Sequence, residues 1–273
     1  MILWQITAFF LPNSFLVRKN ISGENVLITG SGSGIGRLLA LRFAKIGARL
    51  VLWDINEKSN AETKKKIEEI GAEVFAYTVD LNKKEEIYRT AEEVKQVVGN
   101  INILVNNAGI VCGENILKIS DEEIEKTMNV NILSHFYITK AFLESMIRAN
   151  HGHIIEISSM AGKYGMPSLT DYCASKHAVV GFASSLAAEL RSMQVDGVHV
   201  TTICPFFIDT GMFAGVKTFA PLILPILSPQ YVVDEIMEAI VTSKEIVHLP
   251  KICSVLLALQ RQIMHTILFS SFY

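Results

Sequence analysis

The stretch Asn25-Val26-Leu27-Ile28-Thr29-Gly30-Ser31-Gly32-Ser33-Gly34-Ile35-Gly36 decides the fold. Asn25 to Gly30 reads as a first strand, apolar and closed by glycine, buried on both faces. Ser31 to Gly36 supplies turn residues, and Arg37 to Ile46 shows the apolar periodicity of a helix. The pattern is Thr-Gly-x-x-x-Gly-x-Gly, with glycines at Gly30, Gly34 and Gly36. Such glycines permit a tight turn and let the backbone approach a pyrophosphate closely. The following helix N-terminus offers free N–H groups and a positive dipole. A strand–glycine loop–helix unit of this kind predicts nucleotide binding.

Working outward, the next apolar run, Leu50 to Asp54, ends in an acid 18 residues after Gly36. An acid there accepts hydrogen bonds from adenosine ribose hydroxyls and repels a 2′-phosphate, which favours NAD over NADP. Asp54 also precedes a helical stretch, so a helix-capping role stays open. Further strands are expected at Val74–Val79, Ile101–Val105, His153–Ile157, Gly197–Cys204 and Ile246–Leu249. Helices are expected at Ala61–Ile70, Lys84–Val98, Asp121–Asn150, Asp171–Arg191 and Pro229–Ser243. Strand–helix alternation with apolar strands predicts a single-domain α/β fold, a Rossmann-type doubly wound parallel sheet, with ligands beyond the carboxyl ends of the strands.

Composition narrows the function. The chain has 273 residues, half of them hydrophobic and only 19% charged, with net charge −2. That balance gives no reason to expect nucleic acid as a partner. A mean hydropathy of +0.34 points to a membrane or an apolar ligand. The four cysteines, Cys112, Cys173, Cys204 and Cys253, form no CxxC pair, so they read as free thiols and no metal site is expected. Residues 1–21 form an N-terminal segment whose apolar run, Met1 to Val17, is interrupted at Pro12-Asn13 and followed at once by Arg18-Lys19. It falls short of the roughly 20 apolar residues that a spanning helix needs. It reads as a membrane-surface anchor with the domain on the cytosolic side, or as a segment packed on the domain. Residues 22–250 carry the domain. Residues 251–273 are apolar apart from a patch at Gln260, Arg261, Gln262 and His265, and read as a second membrane-surface helix or a homodimer contact.

The chemistry centres on Tyr172-Cys173-Ala174-Ser175-Lys176. Residues four apart share a helix face. The Lys176 ammonium therefore stands beside the Tyr172 phenol, where a cation lowers a pKa that is ordinarily about 10. A group so poised can exchange a proton with an alcohol. Ser159 lies 13 residues before Tyr172, and Ser158 competes with it. Asn131 lies inside an expected helix, where Asn is mildly unfavourable. No histidine, His135, His177 and His265 included, is given a catalytic role.

Taken together, TGSGSGIG (29–36), NNAG (106–109), Asn131, Ser159 and YCASK (172–176) resemble the short-chain dehydrogenase/reductase family over roughly residues 22–250. The tracts LVLWDIN (50–56), EEIYR (85–89), HGHI (151–154) and CPFFIDTGMF (204–213) are similar to its membrane-associated group. That group includes epidermal retinol dehydrogenase type two and the 17β-hydroxysteroid dehydrogenases of lipid droplets. The resemblance implies Tyr172 as acid/base, Lys176 as its pKa-lowering, ribose-binding partner, Ser159 as the substrate's hydrogen-bond partner and Asn131 as holder of a relay water. It implies a cofactor site of Gly30, Ser33, Gly34, Ile35, Gly36, Asp54, Asp80, Leu81, Asn107, Ala108, Gly109, Tyr172, Lys176, Pro205, Ile208 and Thr210. Substrate would meet Ser159, Tyr172, Phe206 and Phe207. Pro205-Phe206 departs from the family's Pro-Gly, and Phe adopts positive φ less readily than Gly.

Residues 206–227, rich in Phe, Leu and Ile and broken by Pro221 and Pro225, read as an apolar lid over the substrate site or as a loop packed on membrane or core. No cationic cluster stands there to receive a carboxylate or phosphate. The expected reaction is hydride transfer between a lipophilic alcohol and NAD, with retinol first and a hydroxysteroid second, at the endoplasmic reticulum or a lipid droplet. Rival readings are a catalytically silent surface protein and an NADPH-dependent reductase.

Overall fold

The computed structural model describes residues 18–213, 215–218 and 220–259. Residues 1–17 of the N-terminal anchor segment, residues 260–273 of the apolar C-terminal run, and Ala214 and Phe219 of the expected lid therefore lie outside the described residues, whereas Arg18 to Ile21 lie on the domain, the Lys19 amide donating to the Val241 carbonyl at 2.8 Å.

Seven parallel strands form one sheet in the order β3-β2-β1-β4-β5-β6-β7. They are β1 (Asn25–Thr29), β2 (Arg49–Asp54), β3 (Val74–Thr78), β4 (Ile103–Asn106), β5 (Gly152–Ile157), β6 (Val198–Pro205) and β7 (Ile246–Leu249). The helices are α1 (Gly34–Lys45), α2 (Glu57–Ile70), α3 (Lys84–Val97), α4 (Asp121–Met128), α5 (Ser134–Ala149), α6 (Thr170–Ser192) and α7 (Pro229–Val241), and residues 252–259 are also helical. Alternate residues of each strand serve two cores. Val26, Ile28, Leu50 and Leu52 face a cluster built on α1 and α7. Leu27, Val51, Trp53 and Leu104 face the other, built on α3, α5 and α6. This two-sided burial explains why the strands read as unbroken apolar runs. The doubly wound α/β expectation holds. Among the described residues, no helix is long and apolar enough to cross a membrane.

Three local expectations are corrected. Helix α1 begins at Gly34, not Arg37, so Gly34, Ile35 and Gly36 form its first turn. Helix α2 begins at Glu57 rather than Ala61, because its polar first turn carries no apolar periodicity. Its cap is Asn56, whose side chain accepts from the Ser59 amide at 3.0 Å, so Asp54 is not the cap. The long helix expected over 121–150 is broken by a π-helical turn at Asn129–Leu133, which contains Asn131. Such turns insert one residue into the helical register and concentrate at functional sites.

The chain order reverses between β1 and β4, so a crevice opens beyond their carboxyl ends, where this architecture takes its ligands.

Candidate active site

A cavity of about 630 Å³ occupies that crevice, within the range of roughly 300–1,000 Å³ usual for small-molecule and cofactor sites. It is lined by Gly30, Ser33, Gly34, Ile35, Asp54, Asp80, Leu81, Asn107, Ala108 and Gly109 from the β1, β2, β3 and β4 ends. Ser159, Tyr172, Lys176, Pro205, Phe206, Phe207, Ile208 and Thr210 complete the expected set. Two expected residues are not on the wall, Gly36 and Asn131.

Gly36 acts by packing. A Cβ there would lie 2.1 Å from the Gly30 carbonyl oxygen, so only glycine lets α1 seat against the end of β1. Gly30 itself sits at φ +65°, where glycine is favoured. The motif as read omitted Gly32. Its amide donates to Asp54 Oδ2 at 2.7 Å, and a side chain there would collide with the Ser59 hydroxyl and that carboxylate. Asp54 Oδ1 accepts from the Asn56 amide at 2.8 Å, so the carboxylate is fixed at the cavity wall. Arg37 is drawn away, bonded to Thr63 Oγ1 at 2.9 Å and the Ser59 carbonyl at 3.0 Å. Asn107 clips the loop after β4 to β1, donating to the Thr29 carbonyl at 2.7 Å.

Asn131 clamps rather than lines. Its Oδ1 accepts from the Ile110 amide at 2.8 Å. Its two amide hydrogens go to the Ile110 carbonyl at 2.9 Å and Ser175 Oγ at 3.1 Å. The expected water-holding role therefore has no free side-chain donor. What the side chain does is tie the loop after β4 to α6, beneath Lys176.

The two serines separate cleanly. Ser158 Oγ points into the core and donates to the Lys176 carbonyl at 2.9 Å. Ser159 caps a 3₁₀ turn at Met160–Gly162, accepting from the Ala161 amide at 3.1 Å; its hydroxyl donates to the Pro205 carbonyl at 3.4 Å and lowers the proton affinity of the neighbouring Tyr172 phenol. Tyr172 is 5% exposed. Its ring meets Phe213 edge-on at 5.8 Å, and Phe213 meets Phe207 at 5.1 Å, so an aromatic wall leads from the phenol outward.

The electrostatics depart from expectation. Burial pushes the Tyr172 phenol up to about 12, against the opposing effect of the Ser159 side chain. Burial also pushes the Lys176 ammonium down to about 8. Its Nζ donates to the Ile157 carbonyl at 2.9 Å and stands 5.7 Å from the Tyr172 ring centroid. Gly109 lies beside it, where a Cβ would stand in ordinary contact with Nζ at 3.4 Å.

Phe206 does not strain its backbone, because its φ is negative and its amide donates to the Leu249 carbonyl at 2.7 Å. The expected lid divides. Phe206 to Phe213 reaches the cavity, whereas Leu222 is 99% exposed and, among the described residues, none from 216 to 226 lines the wall. The base is pinned by Leu227 N to Phe207 O at 2.8 Å and Asp209 N to Leu227 O at 3.0 Å, which leaves the tip outside. Val111, Met166 and Leu169 extend the apolar wall, and Lys126 adds a cation. None of them was singled out in the sequence. A usable signal existed for Met166 and Leu169, since a loop joining Ser159 to Tyr172 must pass the mouth. No cluster of metal-ligating side chains occurs among the described residues, and the four cysteines are free thiols.

A family model described as short chain dehydrogenase matches residues 24–220. The chain belongs to the short-chain dehydrogenase family. Among relatives, epidermal retinol dehydrogenase 2 of Mus musculus is 52% identical over 235 residues, covering 86% of this chain and 76% of the relative. Estradiol 17-beta-dehydrogenase 11 of Homo sapiens is 44% identical over 252 residues, covering 92% and 82%. Among solved structures, a short-chain dehydrogenase/reductase from Burkholderia phymatum in complex with NAD superposes with a TM-score of 0.81 at 26% identity, covering 90% of this chain and 96% of that one. A metagenomic short-chain oxidoreductase in complex with NADP gives 0.73 at 27% identity, covering 85% and 98%. This short-chain dehydrogenase is thus an oxidoreductase acting on CH–OH groups with a nicotinamide cofactor. The open first turn of α1, the glycines at the end of β1 and the fixed Asp54 carboxylate fit such a dinucleotide.

Proposed function

We propose that this enzyme is an NAD-dependent dehydrogenase of lipophilic alcohols, with retinol the first candidate substrate and a hydroxysteroid the second. The observation that carries the reading is the pairing of the Tyr172 phenol with the Ser159 side chain, which lowers its proton affinity, on one cavity wall at the foot of an apolar face formed by Phe207, Phe213, Met166 and Leu169. A long apolar alcohol can lie along that wall with only its hydroxyl meeting the two side chains. In this reading Ser159 orients the substrate oxygen and Tyr172 takes its proton. Lys176, with N–H groups beyond the one given to Ile157, holds the cofactor's ribose hydroxyls and stabilises the phenolate. A nicotinamide dinucleotide supplies the hydride acceptor for this chemistry. Asp54 favours NAD, because its carboxylate would repel a 2′-phosphate and Arg37 is engaged elsewhere. Gly30, Ser33, Gly34 and Ile35 would border the pyrophosphate, while Asp80 and Leu81 flank the adenine. Asn107, Ala108, Gly109, Pro205, Ile208 and Thr210 are assigned to the nicotinamide half. The retinol preference draws on the 52% relative named for retinol, and the steroid alternative on the 44% relative named for estradiol.

We also assign the enzyme to the cytosolic face of the endoplasmic reticulum or a lipid droplet. The apolar residues 1–17 and the apolar face of residues 252–259 would touch lipid, with Val255 at 42% and Leu259 at 54% exposure. The test is a panel. Purified enzyme is given retinol, retinal, estradiol and a short alcohol with NAD and NADP. Faster turnover of retinol with NAD supports the reading. Preference for the short alcohol, or for NADP, overturns the corresponding part.

A further inference from the structure

Behind the cavity lies a buried polar cluster that the proposed reaction does not use. Glu156, on β5, is fully buried, and His135, at the start of α5, is 1% exposed. His135 Nδ1 bonds Glu156 Oε2 at 2.5 Å, and Asn106 Nδ2 donates to Glu156 Oε1 at 2.8 Å. The His135 Nε2 atom is buried without a partner.

Those bonds constrain the charges. If Glu156 were a neutral acid donating to Nδ1, the Nε2 hydrogen of His135 would be a buried orphan donor, and such groups are rare and costly. A carboxylate accepting from Nδ1–H leaves only a bare lone pair on Nε2. The arrangement that strands least is therefore an anionic Glu156 and a neutral His135. A buried anion needs a compensating cation, since uncompensated burial of charge costs several kcal/mol.

The neighbouring cation is Lys176. It is 3% exposed and has no ion pair within 4.0 Å among the described residues. Its ammonium donates to the carbonyl of Ile157, the residue after Glu156. The other groups packed around it do not supply an anion. Cys204, on β6, has its thiol pushed up to about 11 by burial, and Tyr172, one helical turn away, stands at about 12, so both are neutral at working pH. Asn131, from the π-helical turn, is uncharged. Asp171, on the same helix, is also buried, with neither carboxylate oxygen hydrogen-bonded, but its charge acts on Cys112 and not on Lys176. Lys163, at the end of the 3₁₀ turn, is itself cationic.

We infer that Glu156, held by Asn106 and a neutral His135, is the buried counter-charge of Lys176, a positioning residue that keeps the ammonium protonated for cofactor binding and proton transfer. This rests on the role given to Lys176 above. Its direction agrees with the attraction of Glu156, which raises the affinity of Lys176 for its proton against the larger effect of burial.

The test compares wild type, Glu156→Gln and His135→Asn as full-length proteins. NADH affinity, read by tryptophan fluorescence, and kcat/KM are measured from pH 6 to 10, with melting temperature as a control. Glu156→Gln should move the alkaline loss of NADH affinity to lower pH and weaken binding at pH 8 about tenfold. His135→Asn keeps a donor at the Nδ1 position and should leave the pH profile where it is. Superimposable profiles for Glu156→Gln and wild type overturn the inference. A shift with His135→Asn as large as that with Glu156→Gln also overturns it, because histidine would then carry the compensating charge. If Glu156→Gln folds poorly, unfolding of Glu156→Gln, Lys176→Met and the double variant decides. Glu156→Gln should destabilise the protein less when Lys176 is already methionine, and equal losses in both backgrounds refute the pairing. The wild-type and Tyr172→Phe turnovers report separately on the proposed reaction.

Discussion

Replacing Lys176 with methionine should stabilise this fold while disabling it. Burial pushes the ammonium from 10.5 to about 8, and this net value already contains the opposing attraction of Glu156, so the loss of that counter-charge is included in the balance. Each pKa unit is worth about 1.36 kcal/mol, so keeping the proton at pH 7 costs the folded state about 3 kcal/mol. Methionine has a similar length and fills the same space without a charge. The variant loses the charge-assisted bond to the Ile157 carbonyl, worth about 1.5 kcal/mol at the low end for a charged donor. The net expectation is a gain of about 1.5 kcal/mol at pH 7. The pH dependence gives a second readout. The folded pKa lies below the unfolded one, so the unfolded chain binds the proton more tightly between about 8 and 10.5. Wild-type stability should therefore rise across that window relative to the variant, and the advantage of methionine should fade by its upper end. Lys19, also pushed down to about 8 by burial, titrates in both proteins and cancels in the comparison. Urea unfolding of both proteins at pH 7, 9 and 10.5 measures the difference. A variant less stable than wild type at pH 7, or a difference independent of pH, refutes the reasoning.

Other outcomes follow from the same geometry. Gly36→Ala should destabilise the protein by about 3 kcal/mol or more and abolish dinucleotide binding, because its Cβ would overlap the Gly30 carbonyl; thermal melts and NADH titration check both. Asp54→Asn removes the charge facing the 2′-position and should shift the NADP-to-NAD preference at least about tenfold towards NADP, read as a ratio of kcat/KM values. Ser158→Ala should cost about 1 kcal/mol of stability and change turnover little, whereas Ser159→Ala should lower kcat about 10²-fold with a near-normal melt. Reversal of that pair would exchange the two serines' roles.

Much of this arrangement was legible in the chain. The strands announced themselves because a parallel sheet covered on both faces needs apolar residues at every position, as in Val26-Leu27-Ile28. Their carboxyl ends then gathered Gly30, Asp54, Asp80, Asn107, Ser159 and Pro205 at one crevice without further assumptions. The helix starts were less legible. Gly34 to Gly36 and Glu57 to Asn60 carry no apolar stripe, so periodicity could not claim them. The π-helical turn at Asn131 adds a single residue, too little to register in a repeat of 3.6. Burial depth was not legible either. Side-by-side placement of Tyr172 and Lys176 suggested a cation acidifying a phenol, but both groups are buried, and desolvation is the largest cause of the shift in each. Glu156 looked like one polar residue in an apolar strand until His135 and Asn106 were seen to meet it.

The central claim is that the Tyr172 hydroxyl carries the proton during hydride transfer. Its most direct measurement is steady-state oxidation of retinol by purified wild type and Tyr172→Phe, with NADH affinity measured on the same samples. The account predicts a loss of kcat of about 10²-fold or more with NADH affinity within about threefold of wild type. A Tyr172→Phe enzyme that keeps a tenth or more of wild-type turnover would contradict it.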